Sequence, residues 1–294
     1  MEPVTVAEAN MVSSNVPETD HAAWSSATTY ALADRVIRNH RVYESVQAGN
    51  TNHDPLTDTT STWWLNVSAT NRWKAFDGGL SDPVMQAGDI VYTLSFSKTA
   101  DCVAIFGLDA AEVQLKVTDP VEGVIHDETY PLISSEEVHD GWTYCFAPFT
   151  FSTDLMVRSL PIYSGCDLEV TVSSTGTTKV GEILIGDDHY IGKTLVDTAI
   201  GLQDYSVKER DAWGAMQIVE RGFTRTVDYR FAFDTSDARR IQRIMSRIRA
   251  RVAVFSGGDG ADQYGVTIPG FYKDFSVPLT SNVSFGSLEV ESLI

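Results

Sequence analysis

Apolar residues alternate with polar ones through the middle of this chain. Ile90, Tyr92, Leu94 and Phe96 take every second position of residues 89–96, which sets them on one face of a strand. Residues 112–118 and 168–172 alternate in the same way. Residues 102–108 differ: Cys-Val-Ala-Ile-Phe-Gly-Leu is nearly continuous and apolar, as a strand buried on both faces would be. A short apolar run at 182–185 closes the region. Strands of this length, broken by Gly, Pro and Asp turns, predict a β-sandwich or jelly roll at residues 79–187.

The last third changes period. Residues 213–220 and 224–233 read as two strands around an Arg221-Gly222 turn. Ile241, Ile244, Met245 and Ile248 then follow i, i+3, i+4, i+7 spacing, which makes one apolar stripe on a helix. Asp234, Thr235 or Ser236 can cap its start, and Asp237 suits the positive end of its dipole. A buried strand at 252–255, a flexible turn at 257–260 and strands at 264–276 and 283–293 complete an antiparallel β domain with one packed α-helix, residues 188–294.

The first quarter is unlike either. Residues 1–20 are polar, poorly patterned and read as an N-terminal arm. Residues 21–78 hold short β-type runs at 35–37 and 41–46 and a Gly49-Asn50 turn signal. Four of the six tryptophans lie in this module, beside two tyrosines. So many large rings in so few residues must form a miniature core or face outward as a binding surface. As a surface, Trp24, Tyr30, Trp63, Trp64 and Trp73 are the candidate platforms for a sugar, whose apolar C–H faces stack on flat rings. If their segment is extended, Trp63 and Trp64 point to opposite faces. The predicted fold class is therefore mainly β: a small aromatic-rich N-terminal module, a central sandwich or jelly roll, and a C-terminal sheet with one helix.

Composition narrows the partners. The 294 residues are 43% hydrophobic and carry a net charge of -18, which suits a folded chain and repels phosphate backbones, so no nucleic-acid partner is expected. Within that acidic chain, six arginines fall between Arg239 and Arg251. Arg239, Arg240, Arg243 and Arg247 are candidate contacts to an acidic neighbouring subunit, because guanidinium forks pair well with carboxylates. Cys102, Cys145 and Cys166 are odd in number and lack CxxC spacing, so buried free thiols are expected rather than a zinc site or disulfides. Residues 1–20 lack the basic start and apolar run of a secretion signal, and no apolar stretch approaches the roughly 20 residues needed to span a bilayer. Assembly in a cytosol without membrane insertion is the expectation.

Catalytic patterns are weak. The six histidines form no HExxH, and neither GxSxG nor a P-loop occurs. Asp187-Asp188-His189 reads as a surface loop, and the stretch 257–262 as a hairpin turn rather than a Ca²⁺ loop. The expectation is no enzyme, no catalytic residue, no metal and no cofactor.

Two resemblances add to this reading. The order Trp24, Tyr30, Asp34-x-Val36, Tyr43, Gly49, Pro55, Trp64 is similar to the small chitin-binding-like carbohydrate modules of family 5/12, short twisted sheets with exposed aromatics. Their usual Gly-Asp pair is Ala33-Asp34 here. More widely, Asn-Arg-Trp-Lys-Ala-Phe-Asp-Gly at 71–78, Asp-Tyr-Ser-Val-Lys-Glu at 204–209, Gly-Phe-Tyr-Lys-Asp-Phe at 270–275 and Ser-Leu-Glu-Val-Glu at 287–291 together resemble a family of tail proteins of long-tailed bacteriophages. That resemblance implies a virion component at the distal tail or baseplate, built in the host cytoplasm and packed against copies of itself and other tail proteins. The carbohydrate-like module implies, as the alternative, an adhesin that recognises host envelope glycans.

Overall fold

The alternating run at 89–96 becomes the strand Ile90–Ser95, with Ile90, Tyr92 and Leu94 fully buried. The structure, a computed structural model, describes residues 1–134, 138–148, 150–210, 213–258 and 266–293. It is mainly β, with 51% of residues in strands against 10% helical.

Two antiparallel sheets face each other across the central region. One runs Gly123–Pro131, Glu112–Asp119, Asp167–Ser173, Ile90–Ser95, Met11–Ser14; the other runs Glu2–Pro3, Glu182–Asp187, Ala100–Phe106, Asp154–Ile162. Val113, Leu115 and Val117 lie opposite Val172, Val170 and Leu168, so the two alternations are in register and share one inward face. The continuous run at 102–108 has a different cause. Val103 and Ile105 point into the sandwich, while Ala104 and Phe106 on the outer face pack with Leu184 and Val254 under the C-terminal domain. A strand covered on both sides has no solvent face to keep polar.

The arm at residues 1–20 takes part in this structure. Glu2–Pro3 pairs with Glu182–Asp187 at the edge of one sheet, and Met11–Ser14 pairs with Ile90–Ser95 at the edge of the other. Its polarity is that of edge strands, whose side chains need bury on only one side.

In the last third, Phe223–Asp234 is the longest strand. Val227, Tyr229, Phe231 and Phe233 line one face of it. That face takes the expected helix, Ala238–Ile248, through Ile241, Met245 and Ile248, and Ile244 of the same stripe is buried too. Asp234 accepts the Ser236 N–H at 2.9 Å in the turn that leads into the helix. The sheet continues through Val283–Ser292, Ile268–Ser276 and Ala253–Phe255. One expectation is corrected. Arg221-Gly222 does not join a pair of strands: Met216–Val219 pairs with Val207–Arg210, and Phe223–Asp234 pairs with Ala199–Asp204. Both halves belong to one long ribbon with a break where Tyr205 N–H donates to Gly222 O at 3.2 Å. Alternation marks strands but does not say which ones pair. The turn expected at 257–260 and the stretch to 262 lie partly outside the described residues.

The aromatic module is a three-stranded sheet, Arg35–Arg38, Arg41–Ser45 and Trp64–Ala69, with the short pair Thr29–Tyr30 and Asn50–Thr51 beside it. Asn39 and His40, at φ 51° and 63°, make the two-residue turn of the first hairpin. A 3-10 turn, Asn71–Phe76, joins the module to the sandwich.

Candidate functional site

The five candidate platform rings divide into a core and a rim. Trp64 is 1% exposed and meets Tyr30 edge-on, with centroids 5.1 Å apart and planes at 70°. Its Nε1 donates to His53 O at 2.8 Å, and the Tyr30 hydroxyl accepts the Ser25 N–H at 2.8 Å. With Val36 and Tyr43 these rings form the module's own core. Trp73 is buried too. It packs on His40 at 4.5 Å and, through Phe76, continues in edge contacts to Tyr92 inside the sandwich. Tyr30, Trp64 and Trp73 therefore present no open stacking face, because so small a sheet needs its largest side chains for its own interior.

Trp24 and Trp63 remain, both half-buried against that core. Trp63 lies flat on His53, centroids 3.8 Å apart and planes within 10°. Arg38 sits over the Trp24 ring at 5.1 Å and forks onto Asp54, with Nη2 at 2.8 Å from Oδ2. Asp58 fastens the loop beneath: its carboxylate accepts the N–H groups of Thr62, Trp63 and Trp64, and these bonds outweigh its desolvation and hold its pKa below the usual range. Two half-exposed rings, one guanidinium and one carboxylate thus share one edge of the module. As expected for adjacent residues in an extended segment, Trp64 packs inward while Trp63 faces the rim.

The arginine helix also divides. Arg240 pairs with Asp237 at 3.2 Å and donates to Tyr190 O at 2.9 Å. Arg247 reaches Glu2 at 2.9 Å and so ties the helix to the first strand. These two contacts lie within the chain, and both side chains stay close to half exposed. Arg239 and Arg243 stand exposed one turn apart.

The chain bears apolar surface that its pattern did not reveal. The ribbon Val207–Arg210 with Met216–Val219 buries no residue, and Met216, Ile218 and Val219 are exposed. Every residue of the edge strand Ala199–Asp204 is exposed, including Ile200 and Leu202. Between the short paired strands Ile133–Ser134 and Thr150–Phe151, a helix at Gly141–Phe146 also buries nothing and carries Trp142 at 70% exposure. The sole local signal for that helix was Asp140 three residues before Thr143, a capping pair too short to be read as an element without an apolar stripe. Cys145 on this helix is exposed, against the expectation of a buried thiol, whereas Cys102 and Cys166 are buried. Burial pushes the Cys102 thiol up to about 12.

Glu182 is a buried carboxyl where the joining turn meets the sandwich. It is 3% exposed and accepts the Gly78 N–H at 3.0 Å, and burial pushes its pKa up to about 9. Asp188 pairs with Arg158 at 3.4 Å and His189 Nε2 lies 3.2 Å from Glu2, so the Asp187-Asp188-His189 loop is held against the sandwich sheet. Among the described residues no three His, Cys, Asp or Glu side chains are grouped to hold a metal, and no helix is long and apolar enough to cross a membrane.

No family model matches this chain, and no curated protein matches it.

Proposed function

We propose that this chain is a structural subunit of a bacteriophage tail tip or baseplate, assembled as a ring from copies of itself and bound to other tail proteins. The observation that carries this reading is the apolar ribbon. A two-stranded ribbon with no core of its own is marginal in water, and here it exposes Met216, Ile218 and Val219 beside a bare strand edge at Ala199–Asp204. Such surface is consumed when a neighbouring subunit covers it. The order of motifs along the chain supplies the viral context. Light scattering on the purified chain across a concentration series, with electron micrographs of virions labelled against it, tests the proposal. A strict monomer at high concentration together with unlabelled tails refutes it.

The second reading is a glycan-binding surface on the aromatic module, and it is compatible with the first. The specific observation that favours it is the rim formed by Trp24 and Trp63, with Arg38 and Asp54 placed to orient hydroxyls. Titration with chitin oligosaccharides, using Trp63→Ala and Trp24→Ala as controls, decides it. Absence of binding by the intact chain makes these rings architectural.

A further inference from the structure

We propose that His40 is a proton-operated clasp: it holds the aromatic module in one orientation on the sandwich while its imidazole is charged, and frees the module when the ring is neutral. The clasp goes beyond the tail-subunit and glycan readings and depends on neither. His40 stands at the tip of the module's first hairpin, in the second position of its two-residue turn, at φ 63°, a place that glycine favours. A histidine there gives up a backbone preference, and what its ring touches supplies the reason. Its Nδ1 lies 2.9 and 3.2 Å from the two carboxylate oxygens of Glu18, and its Nε2 lies 3.6 Å from Glu8. Trp73 packs on the ring, with centroids 4.5 Å apart. An imidazolium donates from both nitrogens and is attracted by an indole face. A neutral imidazole has a single N–H, so it turns a lone pair toward one of the two carboxylates.

The place of this contact gives it leverage. The chain passes between sandwich and module near residues 18–22 and again near 69–71, and His40 sits where the two passages meet. Its carbonyl accepts the Thr70 N–H at 3.0 Å, while Thr70 Oγ1 donates to Glu18 at 2.9 Å. Glu18 is anchored on the sandwich side. Two residues before it, Val16 is fully buried in the sandwich core, and the Val16 carbonyl accepts from Arg72 Nε at 2.7 Å. The joining turn is fastened to the sandwich without His40: the Tyr92 hydroxyl donates to Arg72 O at 2.8 Å, and Asn71 Nδ2 donates to Met85 O at 2.9 Å. What remains free is the module about its two passages, and the imidazole spans that gap. Of the two acids at the ring, Glu18 is largely buried and Glu8 is exposed, so Glu18 supplies most of the attraction. Arg72 Nη1, 3.9 Å from Glu18, opposes the proton from the joining turn.

Distances between spin labels on the full chain read the orientation. Thr59→Cys in the module and Lys98→Cys in the sandwich carry the labels at exposed positions; Cys145→Ser removes the exposed native thiol, and Cys102 and Cys166 are buried. Glu182→Gln is included throughout, because that carboxyl, pushed up to about 9, responds to pH at the end of the same joining turn. The expected result is one narrow distance at about pH 5.5 and its loss to a broad distribution at about pH 8, on either side of the range where histidine ordinarily titrates. His40→Gly suits the turn and keeps the hairpin, and it is expected to be broad at both values. Glu18→Gln keeps an acceptor for Thr70 and is expected to lose the pH response. Four results overturn the clasp: a parent chain with the same distribution at both values, the reverse response, a His40→Gly variant that stays narrow, or a Glu18→Gln variant that still responds.

Discussion

Glu182 holds Gly78: its Oε2 accepts the Gly78 N–H at 3.0 Å in a site where the carboxyl is almost wholly out of water. The contact pins the end of the turn that joins the aromatic module to the sandwich. Burial raises the carboxyl to about 9, so the folded protein keeps it protonated across the neutral range. The unfolded chain releases that proton near 4.5. A carboxyl raised in the folded state contributes stability that is complete below the unfolded value and fades as pH climbs toward the folded one. The stability this group supplies is therefore expected to fall by several kcal/mol between pH 5 and pH 9, and the melting temperature falls with it. Glu182→Gln keeps the acceptor and loses the titration. Its melting curve should cross above the wild type as pH rises; parallel curves would show that Glu182 is charged in the fold.

Ala33 has φ 67°, a left-handed backbone that L residues disfavour. Ser45 O accepts its N–H at 2.8 Å, and Asp34 Oδ2 accepts the Ala31 N–H at 2.7 Å, so the turn is held in that shape. Ala33→Gly is expected to stabilise the chain by about 0.5–1 kcal/mol, net of the extra freedom glycine has when unfolded. Chemical denaturation measures it, and a destabilised variant would count against the strain.

Adjacent tryptophans should behave differently. Trp64→Ala empties the module's core and is expected to cost about 3–5 kcal/mol, unfolding residues 21–78. Trp63→Ala removes a half-buried ring stacked on His53 and is expected to cost about 1 kcal/mol. Near-ultraviolet circular dichroism with denaturant titration separates them. Equal losses would mean that both rings are core.

Thiol chemistry gives a direct check on the exposed helix. In the native chain one iodoacetamide adduct is expected, at Cys145, and three after unfolding. Intact-mass measurement reads the count. Rapid labelling of Cys102, buried on the outer face of Ala100–Phe106 with its thiol pushed up to about 12, would count against that burial.

Much of this fold was legible where periodicity is strong. The alternations around Tyr92, Leu115 and Val170 and the stripe from Ile241 to Ile248 predicted elements that the structure contains. Those signals survive because one face of each element is buried and the other wet. The pairing of Met216–Val219 with Val207–Arg210, and the helix at Gly141–Phe146, carried no such contrast, since neither buries a face within the chain. At the candidate site, the rings of Trp24 and Trp63 could not be told from those of Tyr30, Trp64 and Trp73 by residue type alone. All five are large and apolar, and local spacing sorts only adjacent pairs.

By itself the sequence determined a mainly β chain with a ring-rich head, a sandwich middle and a helix-backed sheet, because hydrophobic period is a local property of each element. Tertiary structure alone decided which rings are interior, which arginines are already engaged, and that residues 1–20 supply one edge strand to each sandwich sheet. Those outcomes depend on contacts between residues far apart along the chain, as between Arg247 and Glu2, and no local pattern encodes which distant partner will be met.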